Sequence, residues 1–142
     1  MRRIATILLV DDDETTNFLH QRLLLRLNVS DQVLVASNGA QALGIITQPN
    51  VQFSPTNPVL VLLDLNMPVM NGFEFLEAFS ALPPAQQQRA VVVVLTSSLN
   101  TQDLDRSNNL PVAGILTKPL DKEKVDSLLQ MHFGLPMPAA VE

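Results

Sequence analysis

Five short aliphatic runs recur along this chain of 142 residues, and each is followed by a segment with helical spacing. IATILLV (4–10), QVLVAS (32–37), NPVLVLLD (57–64), AVVVVLT (90–96) and VAGILT (112–117) read as strands. DETTNFLHQRLLLRLN (13–28) sets Phe18, Leu19, Leu23, Leu25 and Leu27 among polar residues, which predicts an amphipathic helix. Further helices are expected over 38–48, opened by Asn38-Gly39, and over 72–82, where Phe75, Leu76 and Phe79 have core spacing and Pro83-Pro84 stops the run. A weak, polar helix is expected at 101–110, and a last helix at 121–133. Strands that alternate with helices imply right-handed crossovers and a mainly parallel sheet. The AVVVVLT run is apolar throughout, as a strand covered on both faces should be. The expected fold class is therefore α/β, a doubly wound domain, with QPNVQFSPTNP (48–58) as an elongated loop and GLPMPAAVE as a loose tail.

Composition narrows the function classes. Hydrophobic residues make up 46% and charged residues 16%, a globular balance. The net charge of −5 argues against nucleic acid, whose phosphates are bound by clustered Lys and Arg. With no cysteine, disulfides and thiolate metal sites are excluded. MRRIATILLV runs straight into DDDE, unlike a secretory signal, and no apolar run approaches the roughly 18 residues of a membrane span. The expectation is a soluble, cytoplasmic protein with no membrane association. No G-x-G-x-x-G or G-x-x-x-x-G-K-[ST] loop occurs, which argues against dinucleotides or ATP as ligands.

Polar residues close the apolar runs. The first ends in Asp11 and Asp12, the third in Asp64, the fourth in Thr96 and the fifth in Lys118. In an open parallel sheet the carboxyl ends of the strands share one edge, where ligands bind, so these distant residues converge. Clustered carboxylates need a counter-charge, and Mg²⁺ suits an oxygen-only donor set. A phosphoryl group on Asp64 would complete that shell, with Lys118 as a point charge on one oxygen and the Thr96 hydroxyl donating to another. Singly, each piece has a plainer reading. Acids that open a helix cap it, an Asp after a strand turns the chain, and Lys-Pro leaves a strand. Their joint occurrence in this order favours the site.

At this point the sequence resembles the receiver domains of two-component response regulators, of the chemotaxis CheY type, from about Ile4 to Phe133. LLDLNMPVMNG is similar to the family's phosphoacceptor motif, with Asp64 as the acceptor. The acidic pair, VVVVLTSS with Thr96, and TKPL with Lys118 and Pro119 follow the family's order. The resemblance implies strand order 2-1-3-4-5, a receiver domain over 1–134 and a flexible tail over 135–142. It implies Mg²⁺ held by Asp12, Asp64 and the Asn66 backbone carbonyl, with help from Asp11. It also implies a turn shaped by Met67-Pro68 and Asn71-Gly72, and a cis Lys118-Pro119 bond. The implied function is that of a stand-alone response regulator in a phosphorelay. It takes a phosphoryl group from a sensor histidine kinase or a histidine phosphotransfer protein, and signals through a contact with a downstream effector protein. On this reading it catalyses only its own modification and is not an enzyme with turnover; a homodimer is compatible with it.

Two alternatives differ in class. LLVDDDET also fits the haloacid-dehalogenase phosphatase pattern, with Asp11 as nucleophile and Asp13 as general acid. That reading leaves DLNMPVMNG unexplained and lacks a late acidic motif on a strand beyond the Lys; under the receiver reading Asp13 only starts the helix. The other alternative is a degenerate receiver that acts as an interaction module, although no acid and no Lys is missing. One departure from the family stands out: Ile115 occupies the position, three before Lys118, where many receivers carry an aromatic, and the chain has no Tyr. Thr96 is still expected to move toward a phosphoryl group and to signal through SSLNTQ and the weakly apolar fourth helix at 101–110. His20 and His132, with no second ligand at metal spacing, read as surface or boundary residues.

Overall fold

The computed structural model describes residues 4–48, 58–65, 71–96, 112–118 and 120–130. Along the chain these form β1 (Ile4–Val10), α1 (Glu14–Leu27), β2 (Ser30–Ala36), α2 (Gly39–Thr47) and β3 (Val59–Asp64). They continue with α3 (Gly72–Ser80), the short α4 (Pro84–Gln87), β4 (Ala90–Thr96), β5 (Gly114–Thr117) and α5 (Lys122–Leu128). The weak helix expected at 101–110, most of the loop at 48–58, the Asn66 carbonyl, Met67-Pro68, Pro119, His132 and the tail lie outside the described residues.

All strand pairings are parallel, in the order β2-β1-β3-β4-β5. Side chains alternate across a strand, so each of the inner strands feeds two cores. Leu8, Val10, Val61, Leu63, Val92 and Val94 meet α2 and α3 through Ala42, Ile46, Phe75 and Phe79. Ile7, Leu9, Leu60, Leu62, Val93 and Leu95 meet α1 and α5 through Leu24, Val125 and Leu128. Every residue of β3 is buried, which is the physical reason that its sequence shows no polar alternation.

Helix starts follow local capping chemistry. Asp13 accepts from the amides of Thr15 and Thr16, Asn38 from Gln41, and Asp121 from Lys124. Asn71 and Glu74 form a reciprocal capping box at the start of α3. Asn28 closes α1 in the left-handed region at φ 56°.

Two expectations need correction. Pro83-Pro84 does more than stop a helix: α3 ends at Ser80, and Pro84 opens α4, where its missing N–H costs no bond. The inner face of α1 is also not the expected one. Asn17, His20 and Leu24 are buried, whereas Phe18, Leu19 and Leu25 are each more than half exposed. Leu23 and Leu27 pack only partly against the core.

Candidate functional site

The register of the sheet brings the sequence-predicted residues to one edge. Val10, the last residue of β1, pairs with Leu63 on one side and Ala36 on the other, so Asp11 and Asp64 emerge side by side. Asp64 pairs with Leu95, and Thr96 pairs with Thr117, which places Lys118 one residue further along. Asp11, Asp64 and Thr96 are buried, and Asp12 is exposed. Ligand oxygens of Asp11, Asp12 and Asp64 all lie within 4.8 Å of one another. That spacing of hard oxygen donors fits Mg²⁺.

Lys118 is the positive counterpart. Its Nζ lies 2.6 Å from Asp11 Oδ2 and 3.5 Å from Asp64 Oδ1. Burial pulls its pKa down, but the bond to Asp11 and the charge of Asp64 more than reverse this, so it sits above the ordinary value. The ammonium is therefore held charged. Three carboxylates against one ammonium leave two formal negative charges, the charge a divalent cation would neutralise.

The surrounding chain orients these groups. Asp11 Oδ1 accepts from the Asp13 amide at 2.9 Å, and the Asp11 carbonyl accepts from Asn17 Nδ2 at 2.8 Å. The Lys118 amide donates to the Thr96 carbonyl at 2.7 Å, joining the ends of β4 and β5. Gly72 donates its amide to the Leu65 carbonyl at 3.0 Å. A Cβ at Gly72 would stand 2.6 Å from the Asp64 carbonyl oxygen and 2.7 Å from Leu65 Cα, both backbone atoms. Only glycine lets α3 begin this close to the strand that carries Asp64.

Asp13 stands apart from the acid cluster. Its carboxylate accepts from the amides of Thr15 and Thr16 and from the Thr16 hydroxyl, and these bonds hold its pKa below the ordinary value. A general acid needs a shift in the opposite direction, which disfavours the phosphatase reading. Ile115 packs, partly buried, against the core shared with α2 and α3.

Asn17 escaped the sequence reading, and His20, expected at the surface or a boundary, is instead buried. Both lie buried on α1 and bond to backbone near the site: Asn17 to Asp11, and His20 Nε2 to the Leu120 amide at 3.3 Å. Burial first, and then the charge of Lys118, lower the His20 pKa.

The sequence matches, over residues 7–130, the family model described as the response regulator receiver domain. The chain belongs to that family. The receiver domain is 32% identical over 124 residues to the response regulator Rcp1 of Synechocystis sp., covering 87% of this chain and 83% of that one. It is 30% identical over 128 residues to a probable chemotaxis protein CheY of Rhizobium etli, covering 90% and 92% of the two chains. Among solved structures it is similar to the phosphorylated cyanobacterial phytochrome response regulator RcpA, with a TM-score of 0.74 and 26% identity over 95% of this chain and 99% of that one. Receiver domains serve two-component signalling. No helix among the described residues is long and apolar enough to cross a membrane.

Proposed function

We propose that this receiver domain takes a phosphoryl group on Asp64 and signals through a protein contact that depends on it. The observation that carries the reading is the Asp64 carboxylate, buried at the end of β3 beside Asp11, Asp12 and the Lys118 ammonium. Similarity to a response regulator solved in its phosphorylated form supports it.

The donor is the phosphohistidine of a sensor histidine kinase or of a histidine phosphotransfer protein. A carboxylate oxygen of Asp64 attacks phosphorus, and the phosphorus–nitrogen bond breaks. The electron pair returns to the donor imidazole, which takes up a proton from solvent. The product is an acyl phosphate, and water attacking its phosphorus releases inorganic phosphate and restores Asp64. Lys118 pairs with a phosphoryl oxygen and the Thr96 hydroxyl donates to another. Asp11, Asp12 and Asp64, with the Asn66 carbonyl, would hold Mg²⁺, which supplies neutralisation of the phosphoryl oxygens when bound. A groove of about 270 Å³ runs from Asp11 and Asp12 along Phe18 and Gln21, beside the site.

Incubation with acetyl phosphate and Mg²⁺ tests the assignment. The intact protein should gain the mass of one phosphoryl group, and Asp64→Asn should gain none. Label that survives loss of Asp64 would remove Asp64 as the acceptor. A protein that neither gains mass nor binds beryllofluoride is the degenerate interaction module instead.

A further inference from the structure

Helix α1 buries an imidazole where a leucine would pack. His20 is 6% exposed and lies one helical turn before the buried Leu24. An imidazole there forgoes apolar burial and provides one directional bond. Its Nε2 accepts the amide proton of Leu120, a residue 100 positions away that is itself buried. A buried N–H needs an acceptor, and this one finds it on α1.

Among the described residues, two further hydrogen bonds hold the end of β5 beside Lys118. Lys118 donates its amide to the Thr96 carbonyl, and Lys124 Nζ donates to the Thr117 carbonyl at 2.7 Å. Two residues beyond Lys118, the Leu120–His20 bond ties the chain to α1. A cavity of about 170 Å³, lined by Thr16, Leu19, His20, Lys118 and Leu120, lies alongside and gives the turn space to relax. Asn17, three residues earlier on the same helix, holds the Asp11 carbonyl at 2.8 Å. The buried face of α1 thus holds Asp11 through its own carbonyl and meets the chain two residues beyond Lys118 through the Leu120 amide.

We propose that His20 is a positioning residue for Lys118: by accepting the Leu120 N–H, its ring fixes the turn that delivers the ammonium to Asp11 and Asp64. The role rests on the receiver reading, in which Lys118 meets the phosphoryl group. The bond requires a neutral ring with its proton on Nδ1. Burial, and then the nearby Lys118 charge, favour the neutral form by lowering the ring's pKa from its ordinary 6.5.

Binding of beryllofluoride and of Mg²⁺ alone, measured on the native chain, His20→Leu and His20→Gln, tests this. His20→Leu should bind beryllofluoride about tenfold more weakly, as expected when a buried donor loses its acceptor. Mg²⁺ alone, held by the carboxylates, should bind unchanged. Gln can place its amide oxygen near the Nε2 position, so His20→Gln should restore beryllofluoride binding. Native-like beryllofluoride binding by His20→Leu, failure of His20→Gln to rescue, or a parallel fall in Mg²⁺ affinity would each overturn the role. Absence of beryllofluoride binding by the native chain would overturn the receiver reading itself, and the positioning role with it. If His20→Leu does not fold, nitrogen-15 spectra of the native imidazole decide. A proton on Nδ1 and a bare Nε2 are expected, and a proton on Nε2 overturns the proposal.

Discussion

Helix α3 lays Phe73, Phe75, Leu76 and Phe79 against one face of the sheet, with the rings of Phe75 and Phe79 stacked at 5.9 Å. Helix α1, on the other face, buries Asn17 and His20 beside Leu24 and leaves Phe18, Leu19 and Leu25 largely in solvent. Apolar burial is non-directional and holds α3 in place by area. The hydrogen bonds of α1 are directional, and both reach backbone beside the charged site. The difference assigns α3 mainly to stability and α1 mainly to alignment of Asp11 and Lys118.

The largest expected effect is on the apolar side. Phe75→Ala should cost about 3–5 kcal/mol of unfolding free energy in urea, the range for truncating a buried aromatic. A loss below about 1 kcal/mol would mean that α3 is not held by area. Asn17→Ala should cost about 1–2 kcal/mol, because the Asp11 carbonyl loses its buried donor. It should also weaken Mg²⁺ binding in calorimetry, whereas Phe75→Ala, wherever folded, should not.

The next comparison is made with pH. The His20 pKa is lowered in the fold, so above 6.5 the ring is neutral in both states and its contribution to stability is complete. As pH falls below 6.5 the unfolded chain takes up the proton first and stability declines toward the folded pKa. Urea titrations of the metal-free chain should show this decline, and His20→Gln should remove it. An identical pH slope in the variant would place the proton uptake elsewhere. The smallest effect is expected for Leu25→Gln: at 57% exposure, the change should stay within about 0.5 kcal/mol by thermal unfolding.

Much of the fold was legible because β3 and β4 are covered on both faces, leaving uniform apolar runs whose ends are marked by Asp64 and Thr96. Asp13 was legible as a helix start because capping is a local transaction between neighbours. The orientation of α1 was not legible. At about 100° per residue, Leu23, Leu24 and Leu25 together sweep more than half the circumference, so periodicity does not choose a face. Asn17 was missed, and His20 was misplaced at the surface, because their partners are backbone groups of Asp11 and Leu120, which leave no mark in a residue pattern. Pro83-Pro84 read as a stop because proline disfavours a preceding helix, but the same residue can open the next turn.

By itself the sequence determined that strands and helices alternate, that the sheet is parallel, and that acids, a hydroxyl and a lysine close successive strands. Those are consequences of burial periodicity and chain order, both written residue by residue. Only the tertiary structure decided that Lys118 lies 2.6 Å from Asp11, and that α1 buries Asn17 and His20 together with Leu24. Such choices depend on bonds between residues about a hundred positions apart, whose partners exist only once the sheet has brought the ends of its strands together.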